Sequence, residues 1–244
     1  MFRGLYTAAT GMNFQLNRQD TIANNLANIS TVGYKRDETV ASAFRERLVL
    51  ATDRLETNVI GRISLGVNTA DNFIDTSVGS YMPTENPFDL AIHGVGYFAV
   101  QTRNGIRLTR SGDFSRDLEG FLVTRDGERV MGTNGPILID GEDFQVAQDG
   151  SIQVNGLTVN RILVVNPVDP NSLVKEGHNR FRVDGELEAS MAVVEQGVLE
   201  QSNVNSIQEM VKMIEVTRAY ESNQKVIAVM DTVMNKVANE IGRA

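Results

Sequence analysis

Counting in sevens from Met213 reaches Tyr220, Ile227, Met234 and Ile241; counting in sevens from Val216 reaches Asn223, Met230 and Val237. Eight of these nine positions are apolar, which makes them the a and d sites of a heptad repeat. The repeat predicts a helix from about 205 to 241, about 55 Å long at a rise of 1.5 Å per residue. Asn203 or Asn205 is placed to cap its start, and Gly242 marks its stop. A helix of this kind has one apolar face and must cover it. Asn223, the single polar seam residue, is expected to fix register by hydrogen-bonding a polar group of the N-terminal segment, with Gln15 and Gln19 the first candidates, or of a neighbouring chain; the alternative is a wide seam at which it faces water.

The opposite end of the chain offers a looser stripe that can cover that face. Leu5, Ala8, Ala9, Met12, Leu16, Ile22, Ala23, Leu26 and Ile29 recur at three- and four-residue spacing, until Ser30 through Gly33 end the pattern. Neither stripe can be satisfied by solvent, so the economical arrangement packs one helix on the other. The alternative is an ordinary helical layer over a globular core. One stretch of the N-terminal helix is unusual: "IANNLANIS TVGYKR" carries Asn24, Asn25 and Asn28, although asparagine competes for backbone hydrogen bonds and is a middling helix former.

Between the two ends the composition changes. Asn-Gly or Asp-Gly pairs occur at 104–105, 126–127, 134–135, 140–141, 149–150, 155–156 and 184–185, and nowhere else. Such pairs supply the positive φ angles that tight hairpins require. They punctuate short runs such as "GYFAV", "FLVT", "SIQV" and "RILVV". The expected fold class is therefore α+β, with paired N- and C-terminal helices, coiled-coil-like, beside a mainly antiparallel all-β domain. The expected segments are 1–36 (first helix), 37–70 (a connector), 71–200 (the β domain) and 201–244 (second helix). The connector reads as extended or short-helical, because "TVASAFRERLVL" suits a short helix and the residues after it look extended and polar.

Totals narrow the function classes. The chain has 244 residues, with 41% apolar and 22% charged residues, enough to bury a core. Its formal charge of −8 argues against nucleic acid, whose phosphates need clustered cations. Cysteine is absent, which excludes disulfides, thiolate metal sites and cysteine nucleophiles. No run approaches the roughly 20 apolar residues of a membrane span. The N-terminus lacks the apolar core of about 7–15 residues that marks a cleavable signal peptide, so export, if it occurs, is expected by another route.

Catalytic patterns do not emerge. His93 and His178 are the two histidines, without metal-ligand spacing. "HGVGYFAV" has Gly-x-Gly but no third glycine in place, and it runs into a strand where a dinucleotide site needs a helix. Acidic turns such as "DGEDFQVAQDG" read as solvated surface. No catalytic residue, metal or cofactor is expected.

The motifs themselves point elsewhere. "TAATGM" followed by "IANNLANISTVGYKR" resembles the N-terminal signature of the bacterial flagellar rod and hook protein family. "GVLEQSNVNSIQEMVKMIEVTRAYESNQKVI" is similar to that family's C-terminal signature, and "DLAIHGVGYFAV" with "LTRSGDFSRDLEGFLVTRDGERVMG" to its β-domain motifs. The resemblance spans the chain. Length and a single β domain resemble the rod subunits of the FlgF and FlgG type, the hook protein being much longer. Residues 37–70 do not match the stretch usual after this motif in the distal rod subunit, so distal and proximal rod both stay open.

The resemblance implies an inner domain D0 of paired terminal helices, an outer β domain D1, export by the flagellar type III apparatus, and helical assembly into a hollow rod with itself and related rod and hook subunits. It places assembly on Asn24, Asn25, Leu26, Ala27, Asn28, Gly33, Tyr34 and Lys35. At the other end it places it on Ser202, Asn203, Val204, Asn205, Met210, Met213, Arg218, Ala219, Tyr220, Glu221, Asn223, Ile227, Met230 and Met234. Within that picture the three asparagines would offer amides to different neighbouring subunits, Gly33 would end the helix, and Lys35 and Arg36 would sit at its C-terminal dipole. A hook-type subunit, or a secreted β-domain enzyme or carbohydrate binder, is the alternative.

Overall fold

The computed structural model describes residues 2–43, 47–52, 57–63, 66–141 and 143–241. They form two compact units. One comprises Met1–Leu26, Asp37–Phe73 and Ser206–Ala244; the other comprises Ala27–Arg36 and Ile74–Asn205. The expected segment 1–36 crosses this division, because the chain passes from the first helix into the β unit and back before residue 37, while the expected connector 37–70 falls within the helical unit.

In the helical unit, α1 (Phe2–Ala27) and α2 (Ser206–Ile241) pack antiparallel. Three contacts give the register. A Cβ at Gly4 would lie 2.3 Å from Met230 Cε, a Cβ at Gly11 would lie 3.1 Å from Asn223 Nδ2, and Asn25 Nδ2 lies 3.5 Å from Glu209 Oε2. From 4 to 11 to 25 and from 230 to 223 to 209, both helices advance by seven and then fourteen residues. The contact therefore repeats by heptads, as the α2 pattern requires. On α2 the seam residues Met213, Val216, Tyr220, Asn223, Ile227, Met230 and Met234 are buried or half-buried, whereas Val237, also assigned to the seam, is exposed. On α1, Ala8 and Ile22 are buried, but Ala9, Leu16 and Ala23 of the expected stripe face outward.

Residues that follow the first motif add strands to this unit. β1 (Asp37–Ala43) pairs with β4 (Val67–Ile74), and β2 (Arg47–Thr52) pairs antiparallel with β3 (Thr57–Ile63). The short helix considered for "TVASAFRERLVL" is not formed, since residues 39–43 and 47–50 are strand. A helix of that length is marginal by itself, and here Thr39 has better partners. Its hydroxyl meets Thr21 Oγ1 of α1 at 2.7 Å and donates to Asn72 Oδ1 of β4 at 3.0 Å.

The β unit is built from antiparallel neighbours in the order Leu173–Gly177, Arg180–Val183, Gly105–Thr109, Tyr97–Thr102, Arg129–Gly132, Leu122–Thr124 and Phe114–Arg116. The strand Tyr97–Thr102 is covered on both faces. Phe98 and Val100 enter one core with Leu122, Val130, Ile137 and Ile152, while Tyr97 and Ala99 enter a second with Leu108, Leu173 and Phe181. This is the period-two alternation of a strand with two buried sides. Five of the seven Asn-Gly or Asp-Gly pairs place their glycine at positive φ, those at 140–141 and 184–185 being the exceptions. The hairpin from Leu173–Gly177 to Arg180–Val183 turns instead on His178 (φ 49°) and Asn179 (φ 55°).

Candidate functional site

The two signature motifs meet inside the β unit. Gly33 N–H donates to the Glu200 carbonyl at 2.7 Å, and Asn203 N–H donates to the Tyr34 carbonyl at 3.3 Å. Asn203 Oδ1 accepts from Arg36 N–H at 2.8 Å, while its Nδ2 donates to the carbonyls of Asp75 (2.9 Å) and Ser77 (3.2 Å). One asparagine side chain thus ties three separate segments. It is not the helix cap, and the residue immediately before α2 is Asn205.

At the centre of this clasp lies a buried carboxylate. Glu200 Oε1 accepts from Lys35 Nζ at 2.6 Å and from Gly79 N–H at 3.0 Å, and its Oε2 accepts from Arg110 Nε at 2.5 Å. Lys35, Arg110 and Glu200 are exposed by 1%, 3% and 2%. Charges so placed must be paired or hydrogen-bonded, and the remaining donors are used accordingly. Lys35 Nζ also donates to the Ser77 carbonyl at 2.7 Å. Arg110 donates to the carbonyls of Ile92 (2.6 Å), Gly94 (2.8 Å) and Gly96. Burial pushes the Lys35 ammonium below its ordinary pKa, against the pull of Glu200. Burial also pushes the neighbouring Tyr97 hydroxyl up to about 12. Asp75 is pushed up by burial, but the Ser77 N–H and hydroxyl together with Arg36 outweigh this and hold it below the usual carboxylate range.

Several expected roles change. Gly33 does not end a helix: α1 stops at Ala27, and Gly33 (φ 63°) instead lets the chain lie against Arg110, whose carbonyl carbon would be 2.4 Å from an added Cβ. Lys35 lies in the ion pair, not at a helix dipole, and Arg36 pairs with Asp75 at 2.8 Å. The Tyr34 ring carries Lys175 Nζ at 4.2 Å from its centroid. The asparagines divide as well. Asn24 is exposed and Asn28, just past the helix, accepts from the Thr31 hydroxyl at 3.1 Å. Asn25 is 1% exposed, and its amide brackets the Asp37 backbone, donating to the carbonyl at 2.8 Å and accepting from N–H at 3.0 Å. It serves this chain rather than a neighbour.

Of the remaining motif residues, Leu26 and Ser202 are half-buried, Val204 is buried, Ala27 is exposed, and Met210, Arg218 and Glu221 face outward, with Ala219 half-buried. Asn223 lies over Gly11, and among the described residues it forms no hydrogen bond to Gln15 or Gln19; Gln15 Oε1 is buried without a partner. Arg110 and Glu200 were not singled out from sequence. Both lie inside motifs read for their resemblance, and a charged residue within a strand-end motif was the available signal. His93 meets Glu195 and His178 meets Asp126 on the surface. No described helix is long and apolar enough to cross a membrane.

Comparison with known proteins finds matches over both motifs. Three family models match: Flagella basal body rod protein over residues 5–35, the Flagellar hook protein FlgE/F/G D1 domain over 91–154, and the Flagellar basal body rod FlgEFG protein C-terminal over 195–240. The chain is 32% identical to the flagellar basal-body rod protein FlgG of Bacillus subtilis over 98% of its length and 99% of that protein's. It is 33% identical to the flagellar hook-basal body complex protein FlhO of the same organism, over the whole of both. It is 34% identical to the flagellar basal-body rod protein FlgF of Caulobacter vibrioides over 85% of each. The chain belongs to the flagellar basal-body rod protein family. It is a structural rod protein of the flagellum and not an enzyme. The first and last family matches contain the two halves of the clasp, Gly33–Lys35 and Glu200–Asn203.

Proposed function

We propose that this rod subunit assembles with copies of itself and with related rod and hook subunits into a hollow helical tube, using the two terminal helices as its main contacts. The observation that carries this reading is the apolar surface left on α2 outside its seam. Ile207, Val211 and Ile214 in its first half, and Val226, Val229 and Val233 in its second, are all 41–73% exposed and recur at three- and four-residue spacing. A helix that is apolar beyond its partnered face has further partners to cover it. The motif residues on these helices, including Asn24, Met210, Arg218 and Glu221, belong to that contact zone. The subunit reaches the basal body through the flagellar type III export apparatus.

Electron microscopy of basal bodies tests the assignment. Deletion of the gene is expected to leave the rod incomplete, and a complete rod and hook in the deletion strain would refute it. Val229→Asp is expected to stop assembly while the β unit still folds, since Val229 is 63% exposed.

A further inference from the structure

Beside the clasp the β unit has a pocket of about 60 Å³ whose floor is Lys35 and Arg110 and whose wall is the Gly94–Gly96 turn with Pro167 and Leu173. This is far too small for a cofactor, which needs roughly 300 Å³ or more, but it admits the end of one side chain. Its floor has a charge left over. The Lys35 and Arg110 cations face the Glu200 carboxylate, Asp75 acts on Lys35 as well but is itself paired with Arg36, and among the described residues two of the three Lys35 ammonium protons are used, by Glu200 and the Ser77 carbonyl. A buried excess charge is stabilised by an anion brought to it. The rim is apolar. Val95 is 66% exposed, and Met191, 96% exposed, follows Ser190, whose hydroxyl donates to the Val95 carbonyl at 2.9 Å.

A complementary feature stands at the other edge of the same unit. The pocket adjoins the edge strand Leu173–Gly177, and the turn Asp117–Gly120 projects from the opposite edge strand, Phe114–Arg116. Its tip is Leu118, fully exposed at 108%, followed by Glu119. Among the described residues the Glu119 carboxylate is held only by Arg129, in a surface pair, 68% and 39% exposed, of the kind that contributes little. An apolar side chain next to a releasable carboxylate is what an apolar rim over a cationic floor fits.

Resting on the reading of the chain as a self-assembling subunit, we propose that the Leu118–Glu119 turn of one copy docks in the Lys35–Arg110 pocket of the next. Leu118 covers Val95 and Met191, and the Glu119 carboxylate enters toward the free Lys35 proton. Because turn and pocket are different surfaces on opposite edges, the contact is heterologous and propagates as an open helical array, not a closed dimer.

The absence of cysteine gives a direct test. Val95→Cys and Leu118→Cys are introduced together into the full chain, rods are assembled in cells, and basal bodies are oxidised. A ladder of cross-linked multimers is expected, absent from either single variant and from a Val95→Cys, Ile106→Cys control. Regular rods with no ladder, or an equal ladder from the control, would overturn the contact while leaving the rod assignment intact. Glu119→Lys tests the same contact with no cysteine: rod assembly and swimming are expected to be lost with the β unit folded by circular dichroism. Wild-type swimming in that variant would overturn it.

Discussion

The two units spend their apolar residues in opposite ways. The β unit closes two cores around Tyr97–Thr102, with Leu90, Phe98, Val100, Leu122, Val130, Ile137, Ile139, Ile152 and Phe181 at 0–1% exposure. Among the described residues of the helical unit, only Ala8, Ile22 and Val216 are buried apolar side chains, although α2 is apolar on more than its seam. The difference teaches where each unit's stability resides. The β unit carries its own, while the helical unit leaves apolar surface exposed, and buried apolar area is the main favourable term in folding.

The strongest way to break this comparison is to unmake the β unit from within. Glu200→Gln removes the one carboxylate between Lys35 and Arg110, and losing one partner of a buried pair costs about 3–5 kcal/mol. Urea denaturation of the purified protein is expected to show a loss of that size. A change below about 1 kcal/mol would mean the cations are satisfied by carbonyls alone, and the clasp would not be the unit's electrostatic centre.

Alkaline titration sharpens the same point. The Tyr97 hydroxyl, buried against Arg110 and Glu200, has a pKa raised to about 12, whereas in the unfolded chain it ionises near 10. The stability it contributes is therefore complete below about pH 10 and is lost as pH rises toward 12, by about 2–3 kcal/mol. Lys35 acts in the other sense, because its folded pKa is lowered and the folded state releases its proton first. Tyr97→Phe isolates the tyrosine. The variant is expected to lose less stability than the parent above pH 10, and identical slopes would contradict the buried hydroxyl.

The comparison also explains what the sequence could announce. Heptad spacing on α2 was legible because side-chain direction follows from backbone period, and Met213 through Met234 face inward as counted. The hairpins were legible where Asn-Gly or Asp-Gly supplied positive φ, and invisible at His178–Asn179, two residues that also tolerate that region. The clasp was not legible. Lys35, Arg110 and Glu200 are 75 and 90 residues apart in order along the chain, and no local pattern declares that three charged side chains converge. Asn25 misled for a related reason: its partners, the Asp37 backbone and Glu209, are set by tertiary packing, so an apparently surface amide is a buried strut.

Two glycines separate the units again, with a smaller effect. Gly33→Ala forces a Cβ within 2.4–2.6 Å of the Arg110–Ser111 backbone at φ 63°, and strain of this kind costs about 1–3 kcal/mol. Gly11→Ala puts its Cβ 3.1 Å from Asn223 Nδ2, the movable end of a side chain. There the gain in helix propensity, about 1 kcal/mol, offsets the crowding. Thermal stability of the unit that carries the change should fall clearly for the first and hardly change for the second. Equal losses would show that the helix seam is as tightly closed as the β core.

The smallest effect is expected at Asn223. It has no hydrogen bond to Gln15 or Gln19, and it faces Gly11 in the heptad series that also sets Gly4 against Met230 and Asn25 against Glu209. A slip of α2 by one heptad would bring Val216 or Ser202, in place of Glu209, opposite the buried Asn25 amide. The first choice leaves that amide facing an apolar side chain, and the second runs past the start of α2 at Ser206. Within the chain, register therefore rests on Asn25 and Glu209 together with the small-against-large pairing at the glycines, and not on a bond from Asn223 to Gln15 or Gln19. Asn223→Leu exchanges an amide for an apolar side chain of similar reach over Gly11, a swap expected to change stability by less than about 1.5 kcal/mol. Rods of regular diameter and near-normal swimming are expected from that variant, against irregular rods from Asn25→Leu. Misregistered rods from Asn223→Leu would return the register to the seam asparagine and show that a helical unit this open is specified by one polar contact.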